Sequence, residues 1–331
     1  MTRTKNLDPF LAQKYSCLLR DKEVLLPLRF RALFTLRNFP ESDIAEDAII
    51  KAVKEENESY LFKHEAVYCL GQMQSNASTE LFKSLVSDPN ENSMVRHEAA
   101  EALGVLHTRD NTISYFLEKY INDDDELVRD TCQLALQRIQ WAHNDTIEAS
   151  KFDSHDPTPP HSSKDLTFLG DLLSDKNASL FDRYRAMMAL RNIESKESIE
   201  ILCNEMHKQR DGEALFRHEL AFILGQLQHP VAVNALIETL ANKNQHYVIR
   251  HECAFALGSV GGYSLPRKLE LQELTRDALS DYSTDEDQVV SESCLVGLDI
   301  MMYEDGDEFD MSDGLTQALS KYDKFVADVE N

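Results

Sequence analysis

Turn-forming residues are scarce in this chain, with 11 glycines and 9 prolines among 331 residues. That scarcity argues against a turn-rich β fold and favours helices. No apolar run approaches the roughly 18 residues that a membrane-spanning helix needs. The polar opening Met1–Asp8 is followed by no apolar signal-peptide core, so no secretory leader is expected. The six cysteines are Cys17, Cys69, Cys132, Cys203, Cys253 and Cys294, and none forms a C-x-x-C pair. Cys69, Cys132, Cys253 and Cys294 fall on apolar helical stretches, where a thiol behaves as a small hydrophobe. These absences predict a reduced, soluble, intracellular protein of the cytoplasm, with the nucleus as a second compartment.

Positive charge is also in short supply. Lys and Arg total 34 against 58 Asp and Glu, a net charge of −24. Such a surface repels nucleic acid and anionic membranes, so neither is expected as a partner; a basic protein is attracted. Nucleotide motifs are missing, because Gly261-Gly262 stands outside any G-x-G-x-x-G or P-loop frame. His64-Glu65 is followed by Ala66-Val67-Tyr68, which excludes the H-E-x-x-H zinc motif. The acidic runs Asp123–Glu126 and Asp285–Asp287 lack EF-hand spacing and are expected to be solvated helix starts.

What the chain does have is internal repetition. Four segments align: Phe62-Lys-His-Glu-Ala-Val-Tyr-Cys-Leu-Gly, Val95-Arg-His-Glu-Ala-Ala-Glu-Ala-Leu-Gly, Phe216-Arg-His-Glu-Leu-Ala-Phe-Ile-Leu-Gly and Ile249-Arg-His-Glu-Cys-Ala-Phe-Ala-Leu-Gly. Neighbours are offset by 33 residues and the two pairs by 154. The same ruler places Arg31, Asp130 and Arg185 at matching positions, in copies that lack the His-Glu pair. A last copy around Glu292-Ser293 arrives eight residues late, so a longer loop is expected near 280–288. Within one copy, Ala66, Leu70 and Met73 form a stripe at helical spacing, and Ser78-Thr-Glu opens another helix with capping residues. Gly71, Gly104, Gly225 and Gly258 sit where the next repeat would approach closely. A period near 33 with paired helices suits an all-α fold, an α-solenoid of about eight HEAT-like two-helix repeats.

The repeats fall into two pseudo-symmetric halves of four. Residues 1–143 form the N-terminal half and residues 165–331 the C-terminal half with an acidic tail. Between them, 144–164 carries Asp156-Pro-Thr-Pro-Pro160 and Ser162-Ser163, and reads as an exposed, partly extended linker. The tail suggests one closing helix from Ser312 to about Asp328.

The His-Glu pairs are His64-Glu65, His97-Glu98, His218-Glu219 and His251-Glu252. At about 100° per residue, His64 points roughly 160° away from Ala66, off the core stripe. The pairs are therefore expected to project from the second helices onto one face of the solenoid, where facing halves would let them converge. Four of the eight repeats do without the pair, so the fold does not require it. Imidazole suits iron, zinc, copper and nickel, and carboxylate adds affinity for hard cations. Two sites of two His and one carboxylate would use six of the eight residues, a composition typical of non-haem iron that activates O2. A structural zinc site would normally use cysteine and needs only four ligands. His107, His143, His155, His161, His207, His229 and His246 do not repeat in frame and are read as ordinary surface or loop histidines.

Eight HEAT-like repeats with His-Glu in the second, third, sixth and seventh resemble the deoxyhypusine hydroxylase family over nearly the whole chain. The resemblance implies a di-iron monooxygenase, a non-haem oxidoreductase of hypusine biosynthesis. Such an enzyme uses O2 to hydroxylate the deoxyhypusine residue of eukaryotic translation factor 5A, a post-translational modification. It further implies that His64, His97, Glu98, His218, His251 and Glu252 hold two Fe2+ ions per chain. Glu65 and Glu219 would complete the eight residues of the metal site, near the metals, and would be the catalytic residues contacting the cationic substrate side chain. A monomer is expected. Two rivals remain on the sequence: a non-enzymatic HEAT-repeat scaffold that binds a basic protein, and a repeat protein of the bilin-lyase type, which would not require four matched His-Glu pairs.

Overall fold

Apolar residues at helical spacing close into α-helices throughout the described residues. The computed structural model describes residues 8–106, 111–144, 150–152, 154–208, 213–263, 269–304 and 318–322. Among them are sixteen α-helices and no strand. They run in consecutive pairs: α1 Pro9–Arg20 with α2 Leu26–Arg37, α3 Asp43–Val53 with α4 Tyr60–Gln72, α5 Thr79–Ser87 with α6 Ser93–Leu106, and α7 Asn111–Leu117 with α8 Glu126–Asn144. The series continues with α9 Leu166–Ser174 and α10 Leu180–Ile193, α11 Lys196–His207 and α12 Ala214–Leu227, α13 Val233–Ala241 and α14 Tyr247–Tyr263, and α15 Leu269–Tyr282 and α16 Gln288–Glu304.

The helix starts follow from local chemistry. A short side-chain acceptor satisfies backbone N–H groups that have no partner inside the helix. Ser59 Oγ accepts from Phe62 N at 3.3 Å to start α4. Asp125 Oδ1 accepts from Leu127 N at 3.0 Å and Val128 N at 3.4 Å to start α8. Asp287 does the same for Val289 N at 2.9 Å and Val290 N at 3.4 Å before α16. Both acidic runs are thus helix starts. Ser78 differs from expectation: its hydroxyl bonds Ser75 Oγ at 2.6 Å, inside a 3-10 turn over Asn76–Ser78, instead of capping α5.

Packing groups the chain into two compact units, Met1–Leu106 with Glu308–Asn331, and His107–Asp307. In the first, α2, α4 and α6 pack in succession, with α3 against α1 and α4, and α5 against α6. In the second, α10, α12, α14 and α16 form the corresponding row, and α9, α11, α13 and α15 stack alongside. Successive pairs stack as in an α-solenoid. Close approach of the second helices uses glycine. A Cβ on Gly225 would lie 3.0 Å from the Ala256 Cα, and one on Gly258 would lie 2.6 Å from the Gly297 carbonyl oxygen.

Each His-bearing second helix after α4 is also tied down by the arginine preceding its histidine. Arg96 Nε reaches the Val86 carbonyl at 3.1 Å, Arg217 Nη2 the Met206 carbonyl at 3.0 Å, and Arg250 Nε the Leu240 carbonyl at 2.8 Å. Each carbonyl lies in the last turn of the paired first helix, where acceptors lack helical partners and the dipole favours a cation. Arg250 also pairs with Asp285 at 2.6 Å. Lys63 plays the lesser version for α4, meeting Glu91 at 2.8 Å.

Two further expectations are corrected by the structure. The late eighth copy does not reflect a longer loop near 280–288, since the turn between α15 and α16 spans only 283–287. The additional residues lie further back, where α14 has 17 residues and α15 has 14 against 9 in α13. The described part of the 144–164 segment is not an exposed tether. Pro157, Thr158 and Pro159 are buried, and Asp156 forms an ion pair with Arg191 of α10. The pairing partners are 35 residues apart, beyond the reach of local composition. Most of the expected closing helix from Ser312 to about Asp328 lies outside the described residues, as does His107. In the short described stretch 318–322, Lys321 Nζ and Tyr322 Oη donate to Asp21 Oδ2 at 2.8 and 2.7 Å, holding the Asp21 carboxyl down to about 2.

Candidate metal centre

The repeat frame puts His64 and Glu65 on α4, His97 and Glu98 on α6, His218 and Glu219 on α12, and His251 and Glu252 on α14. None of the eight projects into open solvent: all are 6% exposed or less. α4 buries Leu61, Phe62, Ala66, Val67 and Leu70 as well, and so is covered on nearly every side. Burying this many ionisable groups is costly unless charges are paired or coordinate a cation.

Within the first unit, the His64 and His97 rings lie 5.3 Å apart. His64 Nε2 is 3.4 Å from Glu98 Oε2, and His64 Nδ1 is 3.0 Å from Glu65 Oε1. One ligand atom each from His64, His97 and Glu98 falls within 4.8 Å of the others, an arrangement that could hold a metal ion. Burial would depress the His64 imidazole, but the hydrogen bonds to Glu65 and Glu98 outweigh it and lift its pKa to about 10. The electrostatic surroundings favour positive charge at this point.

The second unit repeats the arrangement. His218 and His251 stack with centroids 5.4 Å apart. His218 Nε2 lies 3.3 Å from His251 Nε2 and 3.4 Å from Glu252 Oε2, and His251 Nε2 lies 3.5 Å from the same oxygen. A point equidistant from three atoms so spaced is about 2 Å from each, the length of a metal–imidazole or metal–carboxylate bond. The donor set, its spacing and its burial all fit a divalent transition metal. In both clusters one helix supplies a His-Glu pair and its neighbour supplies a single His. The spacing of the three ligand atoms is therefore set by the packing of α4 on α6, and of α12 on α14.

Glu65, one of the two carboxylates left over from sets of two His and one carboxylate, is the partner of a cluster histidine. Its carboxylate accepts from, or shares a proton with, His64 Nδ1, which fixes the ring and leaves Nε2 toward Glu98. Glu219 is equally buried, at 5% exposed. Two residues outside the repeated pair also belong to the first cluster's surroundings. Burial pushes the Tyr68 phenol well up, with Arg37 opposing and Cys69, Glu65 and Glu98 adding to the rise. The signal that could have found Tyr68 is its place one turn beyond His64 on the same helix. Three of the histidines set aside as ordinary accept a backbone N–H through Nδ1: His161, His229 and His246 accept from Ser163 N, Val231 N and Val248 N at 3.0, 3.2 and 3.3 Å, the first within a loop turn and the other two at helix starts.

Known proteins share this architecture. Residues 46–137 match the family of HEAT repeats, and residues 182–205 and 216–242 match the PBS lyase HEAT-like repeat. The deoxyhypusine hydroxylase of Drosophila melanogaster is 40% identical over 302 residues, spanning 90% of this chain and 94% of that protein. That of Homo sapiens is 39% identical over 301 residues, spanning 90% and 93%. The solved structure of human deoxyhypusine hydroxylase in complex with glycerol matches with a TM-score of 0.79 and 38% identity, covering 88% of this chain and 96% of that one. Agreement of this depth over nine tenths of the sequence has one reading: the chain belongs to the deoxyhypusine hydroxylase family.

Proposed function

We propose that this chain is a deoxyhypusine monooxygenase that hydroxylates the deoxyhypusine residue of eukaryotic translation factor 5A. The observation that carries the reading is the pair of matched clusters, each with two buried imidazoles and one buried carboxylate at ligand spacing. His64, His97 and Glu98 would hold one iron, and His218, His251 and Glu252 a second. Bound iron would supply the activation of O2, which no protein side chain can perform.

The chain's own residues do the rest. The imidazoles and carboxylates fix the ligand atoms in dry, preformed positions. Glu65 orients His64 by accepting the hydrogen bond from Nδ1. Glu65, and Glu219 in its own unit, would receive ammonium groups of the substrate side chain by charge-assisted hydrogen bonds. Burial strengthens those contacts by excluding water. The net charge of −24 supports a basic protein partner over nucleic acid or an anionic membrane. No helix among the described residues is long and apolar enough to cross a membrane. A monomer working in the cytoplasm, with the nucleus as a second compartment, completes the proposal.

Metal analysis of chain purified without chelator is expected to give about two irons per chain, one per three-ligand cluster. Incubation with deoxyhypusine-bearing factor, O2 and a reductant should add one oxygen atom to the factor by mass. A folded, iron-free chain that performs the hydroxylation would overturn the metal assignment. Glu65→Ala and Glu219→Ala should weaken substrate binding more than they lower iron content.

A further inference from the structure

The segment between the two halves of the repeat pattern is bound at one residue above all. Arg191, on α10, is 0% exposed. A guanidinium offers five N–H donors in a fixed plane, and the contacts of Arg191 use all five. Nε donates to Asn192 Oδ1 at 3.1 Å. Nη1 donates to Asp156 Oδ1 at 2.9 Å and to Gln226 Oε1 at 3.0 Å. Nη2 donates to Asp156 Oδ2 at 2.5 Å and to Ser150 Oγ at 3.2 Å. The Phe152 ring stacks 4.6 Å from the same group.

The segment is stitched on both sides of that anchor. Arg138 of α8 donates to the Asp156 carbonyl at 2.9 Å, Lys151 pairs with Glu194 at 2.8 Å, and His161 N donates to the Arg185 carbonyl at 2.8 Å. Ser154 Oγ donates to Asp156 Oδ1 at 2.7 Å and accepts from Gln226 Nε2 at 3.3 Å. Gln226 is thus gripped by its oxygen and its nitrogen. It stands on α12, the helix that supplies His218, directly after Gly225, where α12 meets Ala256 of α14. His251 and Glu252 are on α14. Whatever fixes α12 against α14 therefore fixes His218 Nε2 against its two companions.

We propose that residues 150–152 and 154–161 are a positioning strap for the second ligand cluster, acting through Arg191 and Gln226 on the placement of α12. The metal readout of this proposal rests on the two-cluster reading above. Gln226 touches no ligand; it is a positioning residue that works through the helix.

Cobalt(II) alone is the probe, titrated into the metal-free full chain. His97→Ala disables the first cluster and His251→Ala the second, so each background reports one site. Gln226→Leu added to His97→Ala should weaken cobalt binding about tenfold, as loss of an outer positioning partner does. Added to His251→Ala it should change nothing. Gln226→Glu keeps the acceptor for Arg191 and should restore binding at the second cluster. A Gln226→Leu chain that binds cobalt there as tightly as its parent, or that weakens both clusters alike, overturns the proposal. Hydrogen exchange on the metal-free chain supplies a readout without metal: amides of 214–227 should exchange faster in Gln226→Leu and those of 60–72 should not. Equal change in the two helices also overturns the strap. If the unsubstituted chain binds no cobalt, the metal reading falls while the exchange data still decide the strap.

Discussion

The cluster on α4 and α6 and the cluster on α12 and α14 carry the same ligand types at the same sequence spacing, but their surroundings have diverged. Around the first are Tyr68, Arg37 and the Glu65–His64 hydrogen bond. In the second, the registers of Tyr68 and Glu101 are held by Phe222 and Phe255, and the Phe255 ring meets His251 edge-on at 5.4 Å. Arg37 and Arg191 occupy equivalent positions 154 residues apart, yet Arg37 is half-buried beside Phe34 while Arg191 is sealed under the strap. Duplication explains the shared ligands. The differences show which features a metal site needs in both copies and which each copy was free to change.

The largest test asks whether the clusters are equivalent as ligand sets. His97→Ala and His251→Ala should each lower bound iron from about two per chain to about one, since a two-ligand remnant holds metal poorly. Measured by metal analysis on folded protein, a variant that loses both irons would show that the clusters do not load independently. Next in size is the arginine pair. Arg191→Lys leaves a buried carboxylate and an amide poorly matched and should cost about 3 kcal/mol in chemical denaturation. Arg37→Lys, at a half-buried site, should cost about 1 kcal/mol or less. Equal losses would dissolve the contrast between strapped and unstrapped copies.

Smaller again is the contrast between Gly225 and Gly71. A Cβ at Gly225 meets backbone at 3.0 Å, whereas at Gly71 it meets the Ala102 Cβ at 3.1 Å and backbone only at 3.5 Å. Alanine gains about 1 kcal/mol of helix propensity over glycine at either position. Overpacking costs about 1–3 kcal/mol where neighbours cannot yield. Gly71→Ala should therefore be close to neutral and Gly225→Ala destabilising, read from urea midpoints.

Much of this was legible in the sequence because repetition is a strong signal. An offset of 33 residues located the second helices, the ligand pairs and the glycines at Gly71, Gly225 and Gly258 before any coordinate was known. The acidic runs were correctly separated from cation loops, because Asp125 and Asp287 have the spacing of helix caps. Two things were hidden for a common reason. The burial of His64 depends on helices packed around α4, and the strap depends on Asp156 meeting Arg191, 35 residues away. A Pro- and Ser-containing stretch has the composition of a linker whether or not distant side chains seize it. Tyr68 was missed because it does not repeat, and a search for repeats discards what differs between copies.

The smallest expected effect concerns helix caps, and again divides the two regions. In the first unit the described caps are Asp8, Ser42, Ser59 and Asn92. In the second, Asp125, Asp165, Ser179, Ser195 and Asp287 are caps of the same kind, and three histidines add to them: His229 and His246 at helix starts and His161 in a loop turn each accept a backbone N–H through Nδ1, which requires a neutral ring. Burial holds the His161 pKa down, with Arg185 assisting and Asp182 opposing. Burial also lowers that of His246, opposed by Asp125, Glu126 and Asp287 and assisted by His218. A lowered folded pKa means that the stabilisation is complete above the ordinary imidazole value of about 6.5 and is lost as pH falls through the folded value. Protonation of the ligand histidines would also respond to acid, so the caps need a control that leaves the clusters alone. Asparagine caps helices without titrating. The double variant His161→Asn, His246→Asn should match the parent near pH 7.5 and lose less thermal stability near pH 5. If its pH dependence equals the parent's, the histidine caps contribute nothing to the difference between the two regions.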